Sequence, residues 1–406
     1  MKHINKIAVA ILLLTAPSQA DAQIKGTLWD VKGIHDVPSY KTISTDSAVG
    51  IIYQGLTYKG KAQNVFAYYA TPGTLSGDRS KDKHLPAVVL VHGGGGMAFR
   101  EWAIMWARKG YAAIAMDTRG NGPGKKHIDG GFDEPNSLTP YFTITPQVSE
   151  QWMFQAVADV ILANNLIRSF PEVDVNRTAL TGISWGGIIT CLVSGLDNRY
   201  KAAVPVYGCG YLLENSSMRT ELLKLNEKDR QTWVDQYDPK HYIGKAKIPM
   251  LFVNGANDPH FYLDSYAKTY SLVKDKNLCI KIGLKHSHHY GWSNDEIFAF
   301  INSYLNGSTP LDKIDNVILT KGPSVTAKVE LHSPVVKAQL NYTTDTTKIL
   351  KDRKWQSVDA TMDKDQIRAP FPPMGTTMWY ISVTDDRGLQ TSSEIMFVTS
   401  HYHSAQ

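Results

Sequence analysis

Between Val49 and Leu305 the apolar positions change period repeatedly, and the changes predict alternating strands and helices. Val49–Tyr58 and Asn64–Thr71 read as two strands joined by a Lys59-Gly60 turn. Ala87–Val91 is apolar throughout, as a strand covered on both faces must be. Phe99–Lys109 has helical spacing and stops at Gly110, and Tyr111–Met116 is again a strand. Gln151–Phe170 predicts a long amphipathic helix ended by Pro171. Strands then follow at Thr178–Ile183, Ala202–Tyr207, Met250–Val253 and Leu278–Ile282, with helices at Gly187–Gly195 and Asp295–Leu305. This order implies crossover units on a mostly parallel, eight-stranded sheet with helices on both faces. Residues 212–247, between two strands, carry helical spacing of their own and read as an inserted cap or substrate wall.

Asn306-Gly307-Ser308-Thr309-Pro310 closes the last helix, and beyond it the period becomes two. Val325, Ala327, Val329 and Leu331 alternate with polar neighbours, as do Trp379, Ile381 and Val383. Leu311–Gln406 therefore reads as a small immunoglobulin-like β-sandwich following a catalytic unit over 23–307. Its removal is expected to leave the rest of the molecule intact. Trp355 and Trp379 are its candidate carbohydrate-stacking rings, weighed against a plain core role.

Composition narrows the class. The 406 residues are 43% hydrophobic and 20% charged, which excludes a disordered, collagen-like or coiled-coil chain. The net charge is +5, and the basic residues are scattered rather than clustered, so nucleic acid is not an expected partner. Cys191, Cys209 and Cys279 are too few for a disulfide scaffold. Residues 1–22 read as a cleaved leader: Lys2 and Lys6, the apolar run Ile7–Ala16, and small residues at Ala20-Asp21-Ala22. That run is about half of the roughly 20 residues a spanning helix needs. An exported chain, periplasmic or extracellular and with no membrane anchor after cleavage, is expected. Oligomeric state is not legible.

Gly182-Ile183-Ser184-Trp185-Gly186 falls between a predicted strand and a predicted helix, the setting of a nucleophile elbow. Upstream, His92-Gly93-Gly94-Gly95-Gly96 ends another strand. Glycines there let backbone N–H groups approach a substrate oxygen, so Gly94 and Trp185 are the expected oxyanion donors and His92 a structural residue. Neither Gly-Lys-Ser/Thr nor Gly-x-Gly-x-x-Gly is present to make this a phosphate loop. An acid and a histidine must follow in that order. Asp258 comes just after Met250–Val253, and His286, His288 and His289 come just after Leu278–Ile282. His286 is the favoured base because it leaves the strand first. The three histidines resemble no usual zinc spacing, and an acyl-enzyme route calls for no metal or cofactor.

Taken together, Val91–Gly96, Asp117-Thr118-Arg119-Gly120, the elbow at Ser184, Tyr237-Asp238-Pro239-Lys240, Ile248-Pro249-Met250 and Gly255–Asp258 resemble the α/β-hydrolase superfamily. Within it they are similar to the dienelactone-hydrolase, acetyl-xylan-esterase and prolyl-oligopeptidase-like branch, and most to secreted bacterial acetyl xylan esterases. The resemblance spans about 49–305 and implies ester hydrolysis, with deacetylation of a plant polysaccharide as its sharpest form. Asp117 and Arg119 read as structural. A peptidase of the prolyl-oligopeptidase type, here lacking a propeller, is the alternative. A non-catalytic binding protein on the same scaffold is another.

Overall fold

Seven residues of unbroken aliphatic character, Leu85–Val91, form the central strand β4, buried along all but its first residue. Around it the computed structural model, which describes residues 23–133, 139–319, 324–347 and 350–398, builds a twisted mixed sheet. The leader expected over 1–22 lies outside the described residues. The other strands of this part are β1 (Tyr40–Ser44), β2 (Val49–Tyr58), β3 (Lys61–Ala70), β5 (Ala112–Met116), β6 (Val173–Ile183), β7 (Ala202–Val206), β8 (Met250–Gly255) and β9 (Lys276–Lys281). Their spatial order is β1-β2-β3-β5-β4-β6-β7-β8-β9. The run from β5 to β9 is parallel, whereas β1, β2 and β3 pair antiparallel at one edge. This is the α/β-hydrolase architecture, with β1 as an additional exposed edge strand. After β5 the chain returns to the opposite side of β4 as β6. The carboxyl ends of β4 and β6 therefore flank the crevice where such sheets bind ligands.

Helices α1 (Arg100–Arg108), α2 (Trp152–Ser169), α3 (Trp185–Leu196), α4 (Glu227–Tyr237), α5 (Leu263–Ser271), α6 (His288–Trp292) and α7 (Asp295–Asn306) cover the sheet or line its edge. The expected amphipathic character of α2 is not observed, since Trp152 through Ile167 are all buried. An arm from Gln23 to Pro38 covers what would have been its solvent face. Trp29 stacks on Phe154 at 6.1 Å and its Nε1 donates to the Phe154 carbonyl at 2.9 Å. The polar residues of α2 are buried with partners: Asp159 accepts from Gln63, and Asn165 donates to the carbonyls of Ile34 and Asp36. Burial of Asp159 pushes its carboxyl well above the usual range.

The C-terminal strands are β10 (Lys313–Leu319), β11 (Ser324–Glu330), β12 (Val335–Thr343), β13 (Gln356–Asp359), β14 (Thr361–Asp363), β15 (Gln366–Pro370), β16 (Met378–Asp385), β17 (Gln390–Ser392) and β18 (Met396–Phe397). They form two sheets, β10-β11-β15-β14 and β17-β16-β12-β13 with β18 beside β16. Val325, Ala327, Val329, Leu340, Ile367, Trp379, Ile381 and Val383 pack between them. The alternating pattern thus makes a small β-sandwich with its own core. It does not stand apart, however. β17 pairs antiparallel with β9, so one sheet runs through both parts. Strand β16 faces two cores: Trp379, Ile381 and Val383 point into the sandwich, while Met378 and Tyr380 join the main core with Leu311, Leu389 and Ile395. Neither tryptophan offers an open platform. Trp379 is wholly buried, and Trp355 is half-buried against Tyr380 at 5.5 Å.

Candidate active site

The strand-to-helix turn at Ser184 is held in a conformation most side chains avoid, φ 59° and ψ −114°. Two glycines make it feasible. A Cβ on Gly182 would lie 2.2 Å from the Gly186 carbonyl oxygen, and one on Gly186 would lie 2.1 Å from that of Val91. The turn is fixed by Ser184 N–H donating to Val206 at 2.9 Å, and it lifts Oγ out of the sheet edge.

Asp258 and His286 arrive at the same edge from β8 and β9. His286 Nε2 lies 3.0 Å from Ser184 Oγ, and its Nδ1 lies 2.7 Å from Asp258 Oδ2. The other oxygen of Asp258 accepts from the backbone N–H of His260 and Phe261, both at 2.8 Å, which anchors the carboxylate. A buried acid facing Nδ1 selects the tautomer with its proton there, leaving the Nε2 lone pair toward Ser184. The structure therefore brings together Ser184, His286 and Asp258, and it keeps the other two histidines away from the hydroxyl. His288 Nε2 accepts from Gly93 N–H at 3.0 Å, and His289 packs beside Tyr290 at 5.7 Å.

The glycine loop after β4 lies directly on this turn. A Cβ on Gly93 would come 2.8 Å from Ser184 Cβ, and one on Gly94 would come 2.7 Å from Trp185 Cδ1. Among the described residues, no acceptor takes the backbone N–H of Gly94 or of Trp185, the first residue of α3. His92 is structural, as expected: its Nδ1 donates to Gly93 O at 2.7 Å and its Nε2 accepts from Thr118 N–H at 3.0 Å. Asp117 ties its own loop by accepting from the N–H of Arg119 and Asn121.

Several surrounding residues were not singled out by the sequence. Tyr207, at φ 62°, sets its ring 4.5 Å from His286 and donates its hydroxyl to Lys285 O at 2.8 Å. Burial raises its phenol well above the usual range, so the hydroxyl stays a donor. His260 sets its ring 4.7 Å from His286 and meets Ser217 Oγ at 2.9 Å through Nδ1. Burial and the adjacent His286 lower its pKa. Both follow strands at the carboxyl edge, the one signal that pointed to them. The inserted stretch 212–247 forms a wall beside the site. Ser217 holds His260, and Trp233 Nε1 in α4 donates to Tyr141 O at 3.0 Å, behind the aromatic cluster of Tyr141, Phe142, Trp152 and Trp185.

The family model described as acetyl xylan esterase (AXE1) matches residues 15–303, most of the chain. The chain belongs to this family. Among solved structures it is similar to the acetyl xylan esterase from Paenibacillus sp. R4, at 19% identity and a TM-score of 0.53 over 72% of this chain and 100% of that one. It is also similar to acetyl xylan esterase 1 from Thermoanaerobacterium sp. JW/SL YS485, at 18% identity and a TM-score of 0.52 over 70% and 93%. Both likenesses concern the fold. A curated relative, the acylamino-acid-releasing enzyme of Homo sapiens, is 24% identical over 54% of this chain and 31% of its own length. The uncharacterized peptidase YuxL of Bacillus subtilis (strain 168) is 24% identical over 47% and 28%. The chain thus spans under a third of the curated relatives it matches. Family and fold together make this AXE1 member a hydrolase of the serine α/β-hydrolase type. Among the described residues no helix is long and apolar enough to cross a membrane.

Proposed function

We propose that this AXE1 member is an exported esterase that removes short acyl groups, acetyl foremost, from carbohydrate esters through an acyl-enzyme. The observation that carries the reading is the continuous hydrogen-bonded line from Ser184 Oγ through His286 to Asp258, set against the glycine loop. A serine hydroxyl is a poor nucleophile at neutral pH. His286 Nε2 is placed to take its proton as Oγ attacks the ester carbonyl, and Asp258 steadies the resulting imidazolium. The N–H groups of Gly94 and Trp185 are the donors for the oxyanion. His286 then returns the proton to the departing alcohol, and a water attacks the acyl-enzyme by the same steps in reverse.

Substrate size is argued from the walls. Tyr141 and Trp185 pack at 4.6 Å with their rings tilted by 31°, both nearly fully buried, and they crowd the space beside Gly94. Short acyl groups fit that geometry. The test is a series of p-nitrophenyl acetate, butyrate and octanoate, with acetylated xylan and N-acylaminoacyl anilides alongside. The reading predicts the highest kcat/KM on acetate and release of acetate from the polymer. Octanoate above acetate would contradict the acyl preference, and anilides cleaved faster than any ester would make the chain a peptidase.

A further inference from the structure

The segment Lys285–His289 sends two histidines to two different places. His286 reaches Ser184. His288, two residues later on α6, turns away and accepts the N–H of Gly93 at 3.0 Å. Both backbone groups of Gly93 are then held, because its carbonyl, in the peptide that carries the Gly94 N–H, accepts from His92 Nδ1 at 2.7 Å and from Gly96 N–H at 3.0 Å. The His288 ring is itself wedged, with Phe99 at 4.7 Å, and Trp292 packs on Phe99 at 5.0 Å. Ser287 caps α6 by accepting from Tyr290 N–H, which fixes where the His288 backbone starts. There is no slack in the loop it holds: a Cβ on Gly96 would lie 2.7 Å from His288 Nε2 and 2.7 Å from His92 Nδ1.

We infer that His288 is a positioning residue for the oxyanion loop: it occupies the N–H of Gly93 and thereby commits the neighbouring N–H of Gly94 to the substrate oxygen. This rests on the serine-esterase reading. The role requires a lone pair on Nε2, hence a neutral ring. Burial, with the His92, His286 and Lys125 side chains close by, holds its pKa down to about 4, so the acceptor persists at neutral pH. A second-base role is excluded by the same geometry, since Nε2 is already bonded to Gly93 and Ser184 Oγ to His286. Preorganised donors matter because a tetrahedral oxyanion is bound through them only as it forms, so a loosened loop lowers kcat rather than raising KM.

The experiment compares His288→Phe, which keeps a ring between Phe99 and Gly93 without an acceptor, with His288→Gln, which restores one at the Nε2 position. Each folded variant is assayed on p-nitrophenyl acetate and for inhibition by an aryl trifluoromethyl ketone, whose hemiketal carries the oxyanion. His288→Phe should lose roughly 10–100-fold in kcat, less than the 10²–10³ of deleting a donor outright, with KM nearly constant. Its Ki for the ketone should weaken by the same factor, and His288→Gln should recover most of both. Wild-type kcat and Ki in His288→Phe, or equal damage in the two variants, overturns the inference. If His288→Phe does not fold, His288→Asn replaces it: its shorter amide stops near the Nδ1 position, so Gln must exceed Asn by about tenfold, and equality overturns the inference. Fluorophosphonate labelling of Ser184 in the wild type keeps the two readings apart. Labelled wild type with an unaffected His288→Phe sinks only the positioning role, whereas unlabelled wild type sinks the esterase reading itself.

Discussion

At the scale of single residues the chemistry depends on which histidine stands over Ser184, and three candidates lie within four positions. The order in which they leave β9 favoured His286, and the 3.0 Å contact to Ser184 Oγ is made by that ring. His286→Ala should lower kcat by about 10⁴ or more, while His289→Ala should stay within a few-fold, as steady-state assays on a soluble ester will show. What the sequence did not reveal was the work of His288, because its partner is a backbone N–H more than 190 residues away. Its lowered pKa also has a consequence for stability. The ring binds its proton in the unfolded chain near pH 6.5 but in the folded protein only near about 4. The unfolded state therefore holds more protons across that window, and stability falls as pH drops from about 6.5 to about 4, by an amount on the order of 3 kcal/mol. Urea midpoints across that range should fall less steeply for His288→Gln than for the wild type; parallel curves would contradict this.

At the scale of elements the alternation of apolar runs and helical stretches carried the sheet and most helices to within a few residues. The elbow shows why motif and context agree: Gly182 and Gly186 are packed against backbone, not merely turn formers. Gly186→Ala should abolish soluble, folded protein. Gly110→Ala, at a left-handed position after α1 with open space around it, should cost only about 1–2 kcal/mol by thermal melts. Two readings went astray for physical reasons. Helix α2 looked amphipathic because its Asp159, Asn164 and Asn165 are polar, yet each is buried and partnered within the fold. In β16, only the odd positions were read as core. The unbroken stretch Met378–Val383 is buried on both faces, and that continuity was the missed sign of a second contact.

At the scale of the molecule the shared sheet and core speak against the expectation that the site stays intact when the sandwich is removed. It extends the hydrolase sheet through β17 and places Leu311, Met378, Tyr380, Leu389 and Ile395 in the main core. It also reaches the site. Asn257, next to Asp258, donates its side-chain amide to the backbone carbonyls of Leu350 at 3.2 Å and Arg353 at 2.5 Å. Gln390 bonds Ile280 and Glu296 at the other end of the contact. Truncation at residue 310 should therefore give an insoluble or strongly destabilised protein, and Asn257→Ala should lower kcat in full-length protein that still folds. A truncated chain with wild-type melting temperature and turnover would contradict both. None of this was legible locally, since the contacts join residues about a hundred positions apart.

The central claim is that Ser184, activated by His286, is the nucleophile. The measurement that tests it most directly is peptide mapping of the protein after reaction with a fluorophosphonate. One label on Ser184, lost in Ser184→Ala and formed far more slowly in His286→Ala, is the predicted result. A label on another residue, or full esterase turnover in Ser184→Ala, would contradict it.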